Sequence, residues 1–250
     1  MKKTNVVLLV CGLVLASVSV ASAQGQDQPA RGFVSLSGGF QLASQTFTES
    51  GSFTLYEEPG SFTGSRTVSS GPFFDIGGGV RVFGKLSVGV AYSRFAKSAD
   101  GSFTVVTPHP LFFNQPRTGT LNVTDLGHTE NAVHVQLFYQ VFSRGRFDAS
   151  VFGGPSIISV KEDSVKAVTA TETGSPYTAV NLSASFESAS KTAVGVNVGL
   201  DANYRVSGSL GAGFFFRYVT ATASLPVSDG TTRSVKAGGP QVGFGLRYRF

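Results

Sequence analysis

The sequence lacks tryptophan and has almost no sulfur, with one cysteine and one methionine. Cys11 lies in an apolar run near the N-terminus, and Val10 before it is too large for a lipoprotein signal. Loss of that segment would leave no thiol, which excludes disulfides and thiolate metal sites. The three histidines are scattered without metal-ligand spacing, so neither a metal nor another cofactor is expected.

Charge is also scarce, since only 14% of the residues are charged and the formal net charge is +5. Lys2 and Lys3 belong to the N-terminal segment, so 20 basic residues become 18 against 15 acidic ones if it is removed. That balance is too small to indicate nucleic acid as a partner. Residues 77–79 are three glycines within an alternating pattern and open no helix, which argues against a nucleotide site.

Long hydrophobic runs are absent after residue 24, which excludes a helical membrane protein. At the N-terminus, Lys2 and Lys3 precede an apolar run over residues 6–20, and Ala21-Ser22-Ala23 forms a small-x-small site. This pattern predicts a cleaved secretory signal peptide, residues 1–23. Residues 24–31 are then expected to be a short N-terminal extension, and residues 32–250 to form one domain.

What is present is alternation at a period of two residues. The C-terminal segment places Val242, Phe244, Leu246, Tyr248 and Phe250 opposite Gly243, Gly245, Arg247 and Arg249. The same pattern recurs over residues 32–44, 73–83, 86–93, 130–142, 147–157, 194–204 and 210–218. Pro155 cannot donate to a strand ladder, so we expect a bulge or the end of regular pairing there.

These segments predict an all-β fold, an eight-stranded antiparallel up-and-down transmembrane β-barrel with short periplasmic turns and long extracellular loops. A soluble sandwich is disfavoured, because one face is glycine, serine and asparagine while the other is apolar and free of charge. The long connections are residues 45–72, 97–129, 160–191 and 222–237. Several keep alternating, so we expect some strands to project as hairpins, with Pro108 and Pro110 near one tip.

The C-terminal segment resembles that of the small eight-stranded outer-membrane barrels of Gram-negative bacteria, of the OmpA transmembrane-domain and OmpX type. Members of that family end in a signal read by the outer-membrane assembly machinery: a polar residue, a glycine, and two hydrophobic residues of which the last is terminal. Gly245, Tyr248 and Phe250 match this signal, whereas Gly243 stands where the polar residue is expected. The resemblance implies export through the periplasm and insertion into the outer membrane.

Charged and polar residues fall on the predicted lumen face of several strands. In a barrel this narrow they predict a structural ion-pair network that closes the lumen, and the alternative is a gated polar pore. The predicted network consists of Asp75, Arg81, Glu130, His134, Asp148, Asp201, Arg217 and Arg247. Strand polarity places Arg81, Asp148, Asp201 and Arg247 toward the periplasmic end.

Catalysis is not expected, although some barrels are enzymes. A Ser/His/acid centre needs three side chains at hydrogen-bond distance with an oriented base. The best candidate is His128 with Asp125 and Glu130 near the extracellular rim, while His109 lies in a loop and His134 faces the lumen beside Gln136. The His-x-Ser pattern of lipid A deacylases is absent, so we predict that the protein is not an enzyme.

Two function classes remain open. The first is a structural or surface-interaction protein whose loops contact the exterior, and the second is a narrow conduit for small, hydrophobic molecules, suggested by inward Phe138, Phe152 and Phe215. The expected partners are outer-membrane lipids, lipopolysaccharide and the assembly machinery, with the extracellular ligand of the loops unknown. Loop cations are either solvated or in contact with lipopolysaccharide phosphates: Arg66, Lys97, Arg117, Lys161, Lys166, Arg233 and Lys236.

Overall fold

The structure is a computed structural model that describes residues 31–226 and 232–250, with side chains described through 225 and from 234. The predicted signal peptide, residues 24–30 of the extension and the Arg233 side chain lie outside this part of the chain. No helix within it is long and apolar enough to cross a membrane. Its ten strands are β1 (Gly32–Gln41), β2 (Gln45–Leu55), β3 (Glu58–Val68), β4 (Gly71–Phe83), β5 (Leu86–Thr107), β6 (Arg117–Arg144), β7 (Phe147–Glu172), β8 (Val180–Arg205), β9 (Leu210–Pro226) and β10 (Thr232–Arg249).

Eight of these strands form a closed antiparallel ring in the order β1-β4-β5-β6-β7-β8-β9-β10. The ring closes between the first and last strands, where Val34 pairs with Tyr248 and Leu36 with Leu246. The remaining two strands, β2 and β3, form a hairpin inserted between β1 and β4, which pair directly with each other. The predicted eight-stranded up-and-down barrel, closed by the C-terminal strand, is confirmed.

The outer face of the ring is a continuous apolar surface, called here the apolar belt. It consists of exposed side chains from all eight strands, among them Leu36, Ile76, Val90, Leu137, Val151, Val198, Phe216 and Leu246. The belt ends abruptly along single strands: on β5 the outward position after Tyr92 is the exposed Arg94, and on β9 the exposed Thr220 follows Tyr218. Beyond this level the outward side chains are mainly serine and threonine.

One end of the barrel carries tight turns, which are the connections predicted as short. Gly84 and Gly145 take positive φ values of 52° and 57° in two of them, a conformation that glycine adopts at little cost. We call this the short-turn end.

In the described part of the chain, the opposite end is not formed by irregular loops. Most of the residues that were predicted to form long connections there belong to strands. β5, β6, β7 and β8 run 22 to 28 residues each and extend well past the belt. The tip between β5 and β6 contains Pro108 and Pro110, as expected. Above the pair His128 and Glu162, β6 no longer pairs with β7. β6 then continues the sheet β2-β3-β5-β6, and β7 pairs with β8 alone.

This projecting part, residues 45–68, 99–127 and 163–190, is called the head. Its two sheets enclose a hydrophobic cluster of Phe62, Phe103, Val105, Leu121, Val123, Leu126, Val165 and Val168. Phe103 and Val105 are completely buried. Burial of each large apolar side chain contributes about 1.5 to 3 kcal/mol to the stability of the fold. The head therefore has a hydrophobic core of its own.

Pro155 does not end the fifth ring strand. β7 continues through it, and Pro155 pairs with Val196 of β8. Pairing with β6 is interrupted at Gly154 and Pro155 but resumes in the same register, and the register shift in β6 lies instead between Gln140 and Phe142. Proline is tolerated because β8 and β6 fix the strand on both sides of the gap.

Candidate functional site

Side chains occupy most of the lumen, and its short-turn end holds two Arg–Asp pairs beside a small cavity. Arg247 donates from both terminal nitrogens to Asp201, at 2.5 and 2.6 Å, and its guanidinium lies 4.4 Å from the centre of the Phe33 ring. Arg249 pairs with Asp148. Arg81, Asp148, Asp201 and Arg247 line one cavity at this end, which is where their strand positions were expected to bring them.

The middle of the lumen combines an aromatic layer with a third pair. Phe138 contacts Phe33 and Phe152 with ring centroids 5.6 and 5.1 Å apart. Above them Arg217, 1% exposed, pairs with Asp75 at 2.8 Å and donates Nε–H to Gln241. The three inward phenylalanines, Phe138, Phe152 and Phe215, are therefore buried packing partners in this structure.

His134 lies in a polar cluster without a carboxylate. Its ring nitrogens lie 3.0 Å from Ser93 Oγ and 2.8 Å from Ser156 Oγ, and Asn197 also donates to Ser156 Oγ. The neighbour expected from the sequence, Gln136, reaches this cluster only through Asn197. His134 is completely buried, so the arrangement is a closed hydrogen-bond network.

Glu130 lies higher in the lumen and holds three partners. It accepts hydrogen bonds from the Gly238 amide at 2.9 Å and Gln41 Nε2 at 3.4 Å, and its other oxygen lies 3.0 Å from His128 Nε2. His128 is enclosed by the rings of Phe47 and Phe95. Asp125 does not join this group, because it is exposed and lies in a β-bulge of β6 with a φ of 60°. His128 and Glu130 therefore meet as the sequence suggested, but the expected third member, Asp125, does not lie beside them.

The described residues contain no group of three or more His, Cys, Asp or Glu side chains that could hold a metal. Within the same ranges, His128 meets a carboxylate but no serine, and His134 meets two serines but no carboxylate. These two groups thus lack the oriented Ser/His/acid geometry that nucleophilic catalysis needs.

The base of the head is built around Arg66, which the sequence suggested was a loop cation at the surface. That prediction is wrong: the Arg66 side chain is fully buried. It pairs with Glu49 Oε1 at 3.2 Å and with Glu162, and lies over the Phe47 ring at 5.4 Å. The signal was available in the alternation, since Arg66 shares its parity with the buried Phe62 and Val68.

A second ion pair joins the tips of the head. It involves Arg117, so this residue is not the solvated loop cation that the sequence suggested. Arg117 donates to both oxygens of Glu172, at 2.6 and 2.8 Å, and to the carbonyls of Pro108 and Tyr177. Tyr56 donates to Glu172 at 3.1 Å. The hydrogen bonds from Arg117 hold the pKa of the Glu172 carboxyl below its usual value. This clamp links three turns: β2–β3, β5–β6 and β7–β8.

One tip exposes a short apolar segment. Leu111, Phe112 and Phe113 are 65%, 55% and 84% exposed between β5 and β6. The segment is anchored on both sides: the Leu111 amide donates to His109, and the Asn114 amide donates to Glu58 at 2.9 Å. Three consecutive exposed hydrophobic residues on a fixed turn form an unusual surface for a protein in water.

No protein-family model matches the sequence, and no curated protein matches it. Among solved structures, the chain is similar to Neisserial surface protein A, with 14% identity over 88% of this chain and 97% of that one and a TM-score of 0.41. It is also similar to outer membrane protease OmpT from Escherichia coli, with 10% identity, 93% and 100% coverage and a TM-score of 0.38. A major outer membrane protein from Thermus thermophilus gives 11% identity, 89% and 100% coverage and a TM-score of 0.39. The closed ring itself is established by the strand register given above.

Proposed function

We propose that the protein is an integral outer-membrane β-barrel with a structural or surface-interaction role, in which a closed lumen supports a rigid extracellular head. The observation that carries this proposal is the sharp end of the apolar belt below the head. Because the same strands change from apolar to hydroxyl and charged side chains on one outer face, they fit a lipid layer followed by water. In this arrangement the short-turn end faces the periplasm.

The closed lumen supports the structural role over the conduit. A pore would need a continuous column of water through the lumen. Among the described residues, three Arg–Asp pairs and the phenylalanine layer lie across that path. In planar bilayers the purified protein should therefore show no large, steady single-channel conductance. Steady openings of that kind would reject the closed lumen and favour the conduit.

Orientation can be tested by labelling, because the only cysteine lies in the predicted signal peptide. In intact cells a membrane-impermeant maleimide should react with Gln115→Cys at the head tip but not with Lys85→Cys at the short-turn end. Both variants should label equally after the cells are opened. Labelling of Lys85→Cys in intact cells would contradict the proposed placement.

The exposed segment Leu111-Phe112-Phe113 is the part of the head best suited to contact another surface. Cells that display the protein should adhere to octyl-coated beads, and the triple change of these residues to Ser should abolish that adhesion. Phe186→Ser is the matched control, because Phe186 is 51% exposed on the head but far along the chain from this tip. If the triple variant adhered as well as the wild type, this segment would not be the contact surface of the head.

The partners proposed for the membrane-embedded part are outer-membrane lipids, lipopolysaccharide and the assembly machinery. Support for lipopolysaccharide comes from the outward, exposed Arg94 and Lys161 just above the belt, at a level suited to its phosphates. Support for the assembly machinery comes from Gly245, Tyr248 and Phe250 on the closing strand, of which Tyr248 and Phe250 are exposed on the outer face.

A further inference from the structure

The short-turn end of the lumen opens into a small cavity of about 60 Å³ that continues into solvent. Five basic residues line it, Arg31, Arg81, Lys85, Arg247 and Arg249, against two acidic ones, Asp148 and Asp201. Each acidic residue is paired with one arginine, Asp201 with Arg247 and Asp148 with Arg249. The three remaining cations are Arg31, Arg81 and Lys85, and none of them forms an ion pair with a described residue.

The amides of Arg31 and Gly32 donate to an oxygen of Phe250, which holds Arg31 at the rim of this cavity. A cleft lined mainly by one sign of charge concentrates ions of the opposite sign.

Arg247 supplies a second, independent observation. Its Nη1 and Nη2 are used by Asp201, whereas its Nε is buried and has no hydrogen-bond acceptor among the described residues. A buried guanidinium nitrogen without an acceptor is costly, so it favours an acceptor that enters the cavity. The wall also offers the hydroxyls of Ser87 and Ser150 and the Gln140 amide, which donate without adding negative charge.

We propose that this cavity binds a phosphate group, either as free inorganic phosphate or as the phosphomonoester end of a larger molecule such as a lipid headgroup. Guanidinium groups match the oxygens of phosphate and donate to several of them at once, while Lys85 adds a point charge at the rim. The phosphate balances the surplus positive charge, and a small rotation of the buried Arg247 side chain brings its unpaired Nε–H to a phosphate oxygen. The site is independent of the head and of its proposed role.

The test uses the purified protein in a non-ionic detergent at about 0.1 M sodium chloride, which suppresses diffuse surface binding. Phosphorus NMR line broadening follows the titration of inorganic phosphate and of glycerol 3-phosphate, and carbon-13 acetate serves as the carboxylate comparison. The wild type should show saturable one-to-one binding of phosphate and weaker binding of acetate. Glycerol 3-phosphate that binds as well as phosphate identifies an end group as the ligand, and phosphate alone identifies the free ion.

The binding variant is Arg81→Gln with Lys85→Gln, which leaves both Arg–Asp pairs intact. Loss of two cations should weaken phosphate binding about tenfold or more. The matched control is Arg144→Gln with Arg146→Gln, two exposed cations at a neighbouring turn outside the cavity, and it should bind as the wild type does. Folding of each variant is checked by its heat-modifiable migration.

Arg247→Lys tests the buried donor, since lysine keeps a charge for Asp201 but lacks the Nε–H; it should also bind phosphate more weakly. Absence of saturable binding to the wild type would overturn the proposal. So would acetate binding as tight as phosphate, or equal weakening by the cavity variant and the control.

Discussion

At the scale of single residues, buried and half-buried charges are distributed in discrete pairs along the whole axis of the molecule. Arg249, Arg247, Arg217, Arg66 and Arg117 each meet at least one carboxylate. A buried pair contributes little net stability compared with apolar packing, but removal of one partner leaves the other charge buried without compensation for its lost hydration. The pairs are therefore positions where one substitution has a large effect.

Arg66→Ala should weaken the head strongly. Glu49 and Glu162 would lose their shared buried cation, a change that costs about 3 to 5 kcal/mol at buried pairs. Pulse proteolysis in urea should show head cleavage at lower denaturant than in the wild type. Adding Glu162→Gln to this variant should recover part of the loss, and no recovery would mean that packing rather than charge was removed.

Acid should loosen the tips of the head. Because Arg117 lowers the pKa of Glu172 in the folded state, the stabilisation is complete above the ordinary value of 4.5 and disappears as pH falls through the lowered pKa. Spin labels at Gln115→Cys and Thr178→Cys should show a narrow distance distribution at neutral pH that broadens in strong acid. With Glu172→Gln added, the distribution should be broad at both pH values, and a persistent narrow distribution in that variant would contradict the clamp.

At the scale of elements, the β2–β3 hairpin is an insertion that the barrel does not need for closure. β1 and β4 pair directly up to Gln41 and Gly71, so the ring is complete without the hairpin. The hairpin instead supplies one edge of the head sheet through β3 and β5. The hairpin and the ring are thus separable in their strand pairing, although Phe47 and Val68 also pack on the barrel cluster.

Replacement of residues 42–70 by Asn-Gly should leave a folded barrel with an open head, since this dipeptide favours a two-residue hairpin turn. Heat-modifiable migration should persist, while trypsin should cleave the extended β5–β8 region. Glu57→Gly is the control, because this position already has a positive φ of 64° and the change leaves the Tyr56–Glu172 contact in place, so the head should stay resistant. Loss of the heat-modifiable form after the excision would show that the hairpin is required for the ring.

At the scale of the whole molecule, Gly32 and Phe250 meet where the first and last strands of the ring pair. Phe250 donates its amide to Gly32 and accepts from Gly32 in return, and its side chain is half exposed beside Tyr248. Phe250 thus completes the pairing of the closing strands while its side chain stays on the outer face.

Phe250→Asp should impair insertion, because a carboxylate replaces the terminal ring of the proposed assembly signal and faces lipid. The measurement is the amount of heat-modifiable protein in the outer-membrane fraction, which should fall severalfold while total export is unchanged. Phe250→Leu keeps an apolar end and should insert nearly as well. An undiminished amount of the Asp variant would refute the assigned role of this residue.

The sequence by itself determined the barrel, because alternation at a period of two assigns every ring residue to one of two faces, as Leu246 and Arg247 show. It also placed Asp75, Asp201, Arg217 and Arg247 on the inner face, since parity is a local property. Only the tertiary structure decided that Arg247 meets Asp201, that Arg66 is buried and that Asp125 stands apart from His128. Those facts depend on register between distant strands and on the packing of β2–β3 against β5, and both are set by long-range contacts that no local pattern encodes.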